Sequence, residues 1–295
     1  MTQVWLDGSL RPREAATVSI DDLGFLYGAG CFETMRAFGG VVFRLDRHLA
    51  RLASGLAALG IAAPSPRELE RAIAATLDAN ALVEARIRLT VSAGRGIGRP
   101  DLSQAGPPTV LVVAEPPPPN PAPARLILSA QRADPHRPLA SAKTTNYLAS
   151  LLALSEARAA GADDALLLGG ADDGSGAGGG DIVEAATANV FAVVDDALLT
   201  PTLASGPLPG VTREAVLECA ANLGVRVVER PLPRAMIARA SEVFLTSSIV
   251  GIRPVASIEG WWDAAGNAVP GPRTQALVAA YVVLVARECK VGRAG

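Results

Sequence analysis

The chain has 295 residues, of which 49% are hydrophobic and 19% charged, and its net charge is −2. This length favours two domains with ample core. The balanced charge argues against nucleic-acid binding, and the longest apolar run, 276–286, is shorter than the ~18 residues that a membrane span needs.

The first 115 residues predict a smaller α/β domain. Apolar residues recur at helical spacing from Leu49 to Leu59, and Asp46 is the expected N-cap. The predicted elements are a strand and turn at 4–9, a helix at 46–59, and strands at 85–91 and 109–114. The proline-dense segment 116–124 then predicts a stiff interdomain linker.

Residues 125–295 predict a larger second domain. Its predicted elements are strands at 125–128, 165–168, 181–184, 190–194 and 243–246, and helices at 146–160 and 212–223, with Gly224 as the C-cap of the second helix. The glycine-rich stretch 169–180 contains a formal match to the dinucleotide fingerprint. Because a strand rather than a helix follows it, we interpret the stretch as a mobile hairpin tip.

Scarce cysteine and histidine exclude further kinds of chemistry. Cys31, Cys219 and Cys289 are widely separated, which argues against a disulfide framework and favours a reducing cytoplasm. The start of the chain has no readable signal peptide. His48 and His136 are the two histidines, so we expect no metal site and no Ser-His-Asp relay.

Lysine is rare in this chain. Of the 27 lysine and arginine residues, only Lys143 and Lys290 are lysines. Arginine stays protonated, whereas a lysine amine can lose its proton and act as a nucleophile, typically to form a Schiff base. Lys290 lies five residues from the end of the chain. The sequence therefore indicates Lys143 as the candidate catalytic residue.

Pyridoxal 5′-phosphate is a cofactor whose requirements the chain meets. It needs a lysine, an acid beside the ring nitrogen, and an arginine, hydroxyls or a helix N-terminus for the phosphate. Glu184 ends a short predicted strand inside an apolar stretch. A Gly/Pro turn leads into a helix whose N–H groups at Val211 and Thr212 face outward. The remaining phosphate candidates are Arg51, Thr246, Ser247 and Ser248.

Six motifs occur in the order found in the fold-type IV pyridoxal-phosphate enzymes, which the chain resembles from Val4 to Val255. That family includes D-amino-acid and branched-chain transaminases and aminodeoxychorismate lyase. The motifs are 22–36 (DLGFLYGAGCFETMR), 48–52 (HLARL), Lys143 with 146–148, Glu184 with 189–191, 210–213 (GVTR), and 246–248 with 254–255. The resemblance implies two α/β (α+β) domains, the second barrel-like, and a homodimer.

By this resemblance, Lys143 forms the Schiff base and moves the proton between the substrate Cα and the cofactor C4′. Glu184 pairs with the pyridine nitrogen, Leu208 packs on the ring, and Tyr147 contacts the ring hydroxyl. The residues expected to hold the phosphate are Arg51, Val211, Thr212, Ser247 and Ser248. The residues expected to line the substrate pocket are Tyr27, Phe32, Arg36, Arg95 and Arg99.

The substrate follows less directly from the motifs. D-amino-acid transaminases have an Arg-x-His carboxylate trap near 95–99, where this chain has arginines without the histidine. Ser247 and Ser248 resemble their Ser-Thr, whereas branched-chain enzymes read Phe-Glu-Gly-Ile-Arg at 32–36 and Thr-Gly-Thr at 246–248. Our hypothesis is a transaminase that exchanges amino groups between D-amino acids, such as D-glutamate and D-alanine, and 2-oxo acids by a ping-pong mechanism.

Other interpretations stay open. The segment 24–28 and the arginine-glycine loop also resemble aminodeoxychorismate lyase, and a branched-chain or (R)-amine transaminase is a further alternative. A non-enzymatic member of the fold or a dinucleotide oxidoreductase is a more remote one, because the cofactor-contacting motifs of the resembled family are all retained.

Overall fold

A computed structural model describes residues 1–96, 101–133, 139, 141–169, 180–264, 266 and 268–290. Most of the glycine-rich stretch that we interpreted as a hairpin tip, 170–179, lies outside these residues. The described residues form two compact units. The first comprises Met1–Pro119, Ala142–Asn146 and residues from Val285 onward, and the second comprises the described residues of Asn120–Ser141 and Tyr147–Leu284. The domain limits at 115 and 125 stay predictions.

The first unit is built on a six-stranded antiparallel sheet. Its strands are β1 (Gln3–Leu6), β2 (Ser9–Pro12), β3 (Gly30–Phe38), β4 (Val41–Val42), β5 (Ala85–Ser92) and β6 (Thr109–Glu115), in the order β2-β1-β6-β5-β3-β4. Eight consecutive residues of β3 pair with β5, so the register at the centre of the sheet is fixed over a long stretch.

Three helices accompany this sheet: α1 (Leu23–Tyr27), α2 (Leu45–Ala58) and α3 (Pro66–Ala79), with 3₁₀ turns at Arg13–Ala15 and Leu102–Gln104. Apolar side chains of α2 and α3 join those of the sheet in one buried core. The prediction of Asp46 as N-cap is wrong. The N-cap is Arg44 in the left-handed region, and Asp46 lies in the first turn, where its charge still favours the helix dipole.

The second unit contains a nine-stranded mixed sheet. Its strands are β7 (Ala124–Ala133), β8 (Asp164–Gly169), β9 (Ile182–Ala185), β10 (Asn189–Val194), β11 (Ala197–Thr200), β12 (Val227–Glu229), β13 (Glu242–Ser247), β14 (Gly251–Ile258) and β15 (Trp262–Asp263). The order is β12-β11-β10-β13-β14-β7-β8-β9, and β15 pairs with β14. The pairs β11/β12, β14/β7 and β7/β8 are parallel.

This sheet curls into a half-barrel. The edge strand β9 is connected to the interior strand β10 by a tight turn, in which the Ala185 N–H donates to the Ala188 carbonyl at 2.8 Å. The path of paired strands from β9 to β10 passes through β8, β7, β14 and β13, so the sheet must bend back on itself to bring them together. The predicted α/β class with a barrel-like second part is confirmed.

The helices of the second unit begin with α4 (Leu148–Ala159), α5 (Val211–Asn222) and α6 (Arg234–Ile237), beside a 3₁₀ turn at Leu203–Ser205; α7 spans Pro272–Glu288. The C-cap of α5 is Leu223 rather than the predicted Gly224, which follows it directly in the left-handed region, with φ +66°. Within the described parts of the chain, no helix combines the length and apolar character needed to cross a bilayer.

Candidate active site

In the first unit, Lys143 is fixed by backbone pairing with the start of β3. The Phe32 N–H donates to the Lys143 carbonyl at 2.9 Å, and the Thr145 N–H donates to the Gly30 carbonyl at 2.9 Å. The Thr145 hydroxyl also donates to the Gly28 carbonyl at 2.7 Å. These bonds hold a segment distant in sequence against β3, so the position of the Lys143 backbone is set by the central sheet.

The amine of Lys143 lies against an aromatic ring. Its Nζ is 4.5 Å from the centroid of the buried Phe32 ring, and the guanidinium carbon of Arg88 is 3.9 Å from the same centroid. Arg88 comes from β5, where it pairs with Thr34 and therefore lies diagonally across from Phe32. The structure thus brings two predicted residues together and adds a third, Arg88, that sequence reasoning missed.

Arg51 is bound to a buried acid on the helix side of β3. Its Nε donates to Glu33 Oε1 at 2.8 Å and its Nη2 donates to Glu33 Oε2 at 2.7 Å. His48 Nδ1 lies 2.7 Å from Glu33 Oε2. Burial alone would raise the pKa of Glu33, but the hydrogen bonds from His48 and Arg51 and the charge of Arg51 outweigh burial and lower it.

In the second unit, Glu184 is half-buried on β9 and accepts a hydrogen bond from the Leu208 N–H at 3.0 Å. The Leu208 carbonyl in turn accepts from Asn189 Nδ2 at 2.8 Å. The acid predicted for the ring nitrogen and the leucine predicted to pack on the ring are therefore in direct contact, and Asn189 of the same motif holds the leucine loop.

The N-terminus of α5 fits a phosphate. Its N-cap, Gly210, has no side chain to occupy the free N–H groups, and a Cβ there would lie 2.0 Å from Asn189 Oδ1. Val211 and Thr212 are the first two residues of the helix and both are buried, so their N–H groups lack intrahelical acceptors.

A hydroxyl cluster at the end of β13 has the same donor chemistry. Thr246 is 2% exposed, and its hydroxyl has no hydrogen-bond partner among the described residues. The half-buried Ser247 and Ser248 follow directly. A buried hydroxyl normally has a partner, so the residues of this cluster fit the phosphate group of the predicted cofactor.

The turn that joins β9 and β10 is held from two sides. Tyr147 donates its hydroxyl proton to the Ala186 carbonyl at 2.9 Å. The buried Asp164 accepts from the Thr187 hydroxyl at 2.6 Å and from the Ala165 N–H at 2.8 Å. Burial raises the pKa of Asp164, because these neutral donors only partly compensate for lost solvation. The contact of Tyr147 with a ring hydroxyl stays a prediction.

The other predicted substrate residues are spread over the first unit. Tyr27 ends α1 and is 48% exposed. Arg36 lies on β3 about 13 Å from Phe32 along the strand, and its Nη2 is 3.2 Å from Glu84 Oε2. The Arg95 side chain is 72% exposed and 3.4 Å from Asp21. Arg99 lies outside the described residues. Their substrate roles stay predictions.

No metal cluster accompanies these residues in the described part of the chain, where no group of three or more His, Cys, Asp and Glu side chains could hold an ion. The described residues that were predicted to hold the cofactor include one amine, one half-buried acid, a helix N-terminus and an arginine.

Comparison with known proteins identifies relatives over most of the chain. Residues 30–258 match the family model of amino-transferase class IV. A putative branched-chain-amino-acid aminotransferase of Methanocaldococcus jannaschii is 37% identical over 262 residues, 88% of each chain. A D-alanine aminotransferase of Bacillus licheniformis is 28% identical over 92% of this chain and 93% of that protein.

Solved structures give the same result. A T.th. branched-chain amino acid aminotransferase complexed with N-(5′-phosphopyridoxyl)-L-glutamate has a TM-score of 0.87 and 30% identity, covering 97% of this chain and 94% of that one. The two chains therefore share one fold over almost their whole lengths.

Proposed function

The chain belongs to the class IV aminotransferases, which use pyridoxal 5′-phosphate, and we propose that it moves the amino group between branched aliphatic L-amino acids and 2-oxo acids, with Lys143 as its reactive amine. The observation that carries this proposal is the Phe32 ring, which lies beside the Lys143 amine and the Arg88 guanidinium.

Phe32 and Arg88 suit two different parts of a substrate, its side chain and its carboxylate. Phe32 places an aromatic ring, itself only 3% exposed, next to the amine, which favours an aliphatic side chain in the substrate. Arg88 offers a cation for the carboxylate of an amino acid or a dicarboxylic 2-oxo acid. The names of the M. jannaschii relative and of the T.th. structure support the branched-chain assignment.

Each proposed role follows from the chemistry of a residue. Pyridoxal phosphate, when bound, supplies a ring that withdraws electrons from the substrate Cα. Lys143 Nζ would move the proton between the substrate Cα and the cofactor C4′. Glu184 holds a proton at the ring nitrogen, and the N–H donated by Leu208 orients its carboxylate. In alternate half-reactions, the amino acid gives up its amino group and a 2-oxo acid receives it.

The phosphate is assigned to groups from both sequence halves. The N–H groups of Val211 and Thr212 and the hydroxyls of Ser247 and Ser248 donate hydrogen bonds to it, and Arg51 supplies positive charge. Thr246, which the sequence also offered as a phosphate candidate, is added to them because its buried hydroxyl has no partner among the described residues.

The amine assignment is tested by covalent trapping. Borohydride treatment of the purified yellow protein, followed by peptide mapping, is expected to find the pyridoxyl group on Lys143. Lys143→Ala should lower turnover at least about a thousand-fold with an unchanged circular dichroism spectrum. Lys290→Ala, which removes the other lysine, is the matched control and should keep full activity. A label on Lys290, or an active Lys143→Ala, would contradict the assignment.

A D-amino-acid transaminase is the second candidate, favoured by the B. licheniformis relative and by Ser247 and Ser248. Single-turnover reactions of the enzyme with L-leucine, L-glutamate, D-alanine and D-glutamate separate the two candidates by the loss of the cofactor's visible absorbance. Rapid bleaching by the L-amino acids supports the first proposal, and bleaching by the D-amino acids alone overturns it.

We also propose a homodimer in a reducing cytoplasm. Support for the dimer comes from a run of exposed apolar side chains in the first unit, in which Ile20 is 77% and Phe25 73% exposed. The reduced, buried thiols of Cys31, Cys219 and Cys289 support the compartment. Light scattering should give a dimer mass that Ile20→Asp with Phe25→Asp lowers to a monomer; a monomeric wild type would contradict the dimer. Fractionation that finds the protein outside the cytoplasm would contradict the compartment.

A further inference from the structure

The acid Glu33 has no part in the chemistry proposed above, yet it is a fully buried charged residue next to Phe32 on β3. Its exposed fraction is 0%. Alternation along β3 places Phe32, beside the amine, and Glu33 on opposite faces of the sheet. Glu33 therefore faces α2, and its side chain does not line the Phe32 surface.

Both oxygens of Glu33 are engaged by α2. Oε1 accepts from Arg51 Nε, and Oε2 accepts from Arg51 Nη2 and is in contact with His48 Nδ1, all at 2.7–2.8 Å. His48 and Arg51 are three residues apart, so they lie on the same face of the helix. A two-bond fork between guanidinium and carboxylate fixes both the distance and the plane of the arginine.

This two-bond contact determines which edge of the Arg51 guanidinium faces away from Glu33. Nε and one side of Nη2 point at Glu33, so the Nη1 end of the guanidinium points away from the carboxylate. An unpaired arginine on α2 could adopt many rotamers, and each would have to be ordered when an anion binds. The contacts with Glu33 impose that order beforehand.

We propose that Glu33 is a positioning residue that holds the Arg51 guanidinium in the orientation that binds the cofactor phosphate, and that His48 helps to fix the carboxylate. This inference rests on the proposed function, in which Arg51 binds the phosphate. It assigns no contact between Glu33 and the cofactor or substrate. The effect of Glu33 should therefore appear only for ligands that carry a phosphate.

The test compares two ligands of the apoprotein, pyridoxal 5′-phosphate and pyridoxal, by spectral titration. Glu33→Gln keeps the shape of the side chain and removes its charge. It should weaken binding of the phosphorylated ligand about ten-fold or more and leave the affinity for pyridoxal within two-fold. Glu70→Gln, on the exposed face of α3, is the control and should alter neither affinity.

A double-mutant cycle identifies the route of the effect. Arg51→Lys keeps the charge but loses the fork, and we expect it to weaken phosphate-dependent binding by a similar factor. Glu33→Gln should then add less than two-fold in the Arg51→Lys background. If Glu33→Gln gives no folded protein, Glu33→Asp, which shortens the side chain by one methylene, is titrated in its place and should show the same selective loss.

The outcomes distinguish a failure of the positioning role of Glu33 from a failure of the proposed function. Equal weakening of both ligands, unchanged binding of both, or additive effects of the two variants would overturn the positioning role. An Arg51→Lys protein with unchanged affinity for both ligands would overturn the phosphate role of Arg51 as well. Borohydride labelling of Lys143 in the wild type reports on the proposed function independently of either result.

Discussion

Glu33 of the first unit and Asp164 of the second are both buried carboxylates, but they differ in the kind of partner that they have. Glu33 contacts two side chains that can carry positive charge, His48 and Arg51. Asp164 accepts hydrogen bonds from neutral donors, the Thr187 hydroxyl and the Ala165 N–H. Burial raises the pKa of both acids, but the partners of Glu33 reverse the shift and those of Asp164 do not.

The difference teaches that burial alone does not determine the charge state of an acid. A charged partner stabilises the ionised form of Glu33, because hydrogen bonds to ionised groups are stronger than neutral ones. The neutral donors form hydrogen bonds with Asp164, but these bonds compensate for less of the solvation energy that the carboxylate loses on burial. One acid is therefore suited to hold a cation in place, and the other is suited to fix a turn.

The largest expected effect comes from removing the cationic partner of Glu33. Arg51→Leu leaves a buried carboxylate with His48 alone, and breaking a buried pair in this way destabilises the fold by about 3 kcal/mol. Urea unfolding of the apoprotein at pH 7 measures it. Arg47→Leu, an exposed arginine four residues earlier on α2, is the matched control and should change stability by less than about 0.5 kcal/mol. Equal losses would show that the Glu33 pair contributes nothing special.

Opposite pH dependences are expected from removing the two charges. The lowered pKa of Glu33 contributes stability that is complete above its unfolded value of 4.5 and is lost as pH falls through the folded pKa. The raised pKa of Asp164 makes the wild type lose stability as pH rises from 3.8 through the folded pKa. The groups facing Glu33 are His48, Arg51 and, more weakly, Cys31.

The corresponding variants are Glu33→Gln and Asp164→Asn, each losing about 1–3 kcal/mol through altered hydrogen bonds. In urea unfolding of the apoproteins, the deficit of Glu33→Gln should stay constant from pH 5 to 8 and shrink below 4.5. The deficit of Asp164→Asn should shrink as pH rises. If the stability deficits of both variants changed with pH in the same direction, the two acids would not differ in charge state as proposed.

Local patterns predicted much of this fold from the sequence. The helix α5 with Gly224 behind it, the strands β7, β8, β10 and β13, and the short strand carrying Glu184 all follow from periodicity and turn residues within a few positions. Lys143 could be proposed as the reactive amine because lysine is so rare in this composition. These signals are local or compositional, so a single sequence contains them.

Features that depend on distant pairing could not be predicted. The register of β3 with β5 brings Arg88 over Phe32, and nothing near Arg88 in the sequence specifies that register. The fork between Glu33 and Arg51 requires α2 to pack on one face of β3. Arg44, rather than Asp46, is the N-cap of α2, and its left-handed backbone conformation is one that side-chain preferences do not indicate. Substrate choice depends on such arrangements, which explains why the D-amino-acid hypothesis gained less support than the cofactor.

The smallest expected effect on stability extends the comparison to neutral buried groups. Thr246 and Thr200 are both buried in the second unit, but the Thr200 hydroxyl donates to the Val190 carbonyl at 2.9 Å, whereas that of Thr246 has no partner among the described residues. Thr200→Val should therefore lower the free energy of unfolding of the apoprotein by about 1 kcal/mol. Thr246→Val loses no such bond and should be neutral or slightly stabilising.

For cofactor affinity, we expect the opposite order of effects for the two threonine variants. If the Thr246 hydroxyl donates to the phosphate, Thr246→Val weakens the affinity of the apoprotein for pyridoxal 5′-phosphate about five-fold, and Thr200→Val leaves it unchanged. Spectral titration of both variants measures the affinities. A Thr246→Val protein that is clearly destabilised and binds the cofactor normally would indicate that the hydroxyl serves the fold, and the phosphate would then depend on α5, Ser247 and Ser248 without it.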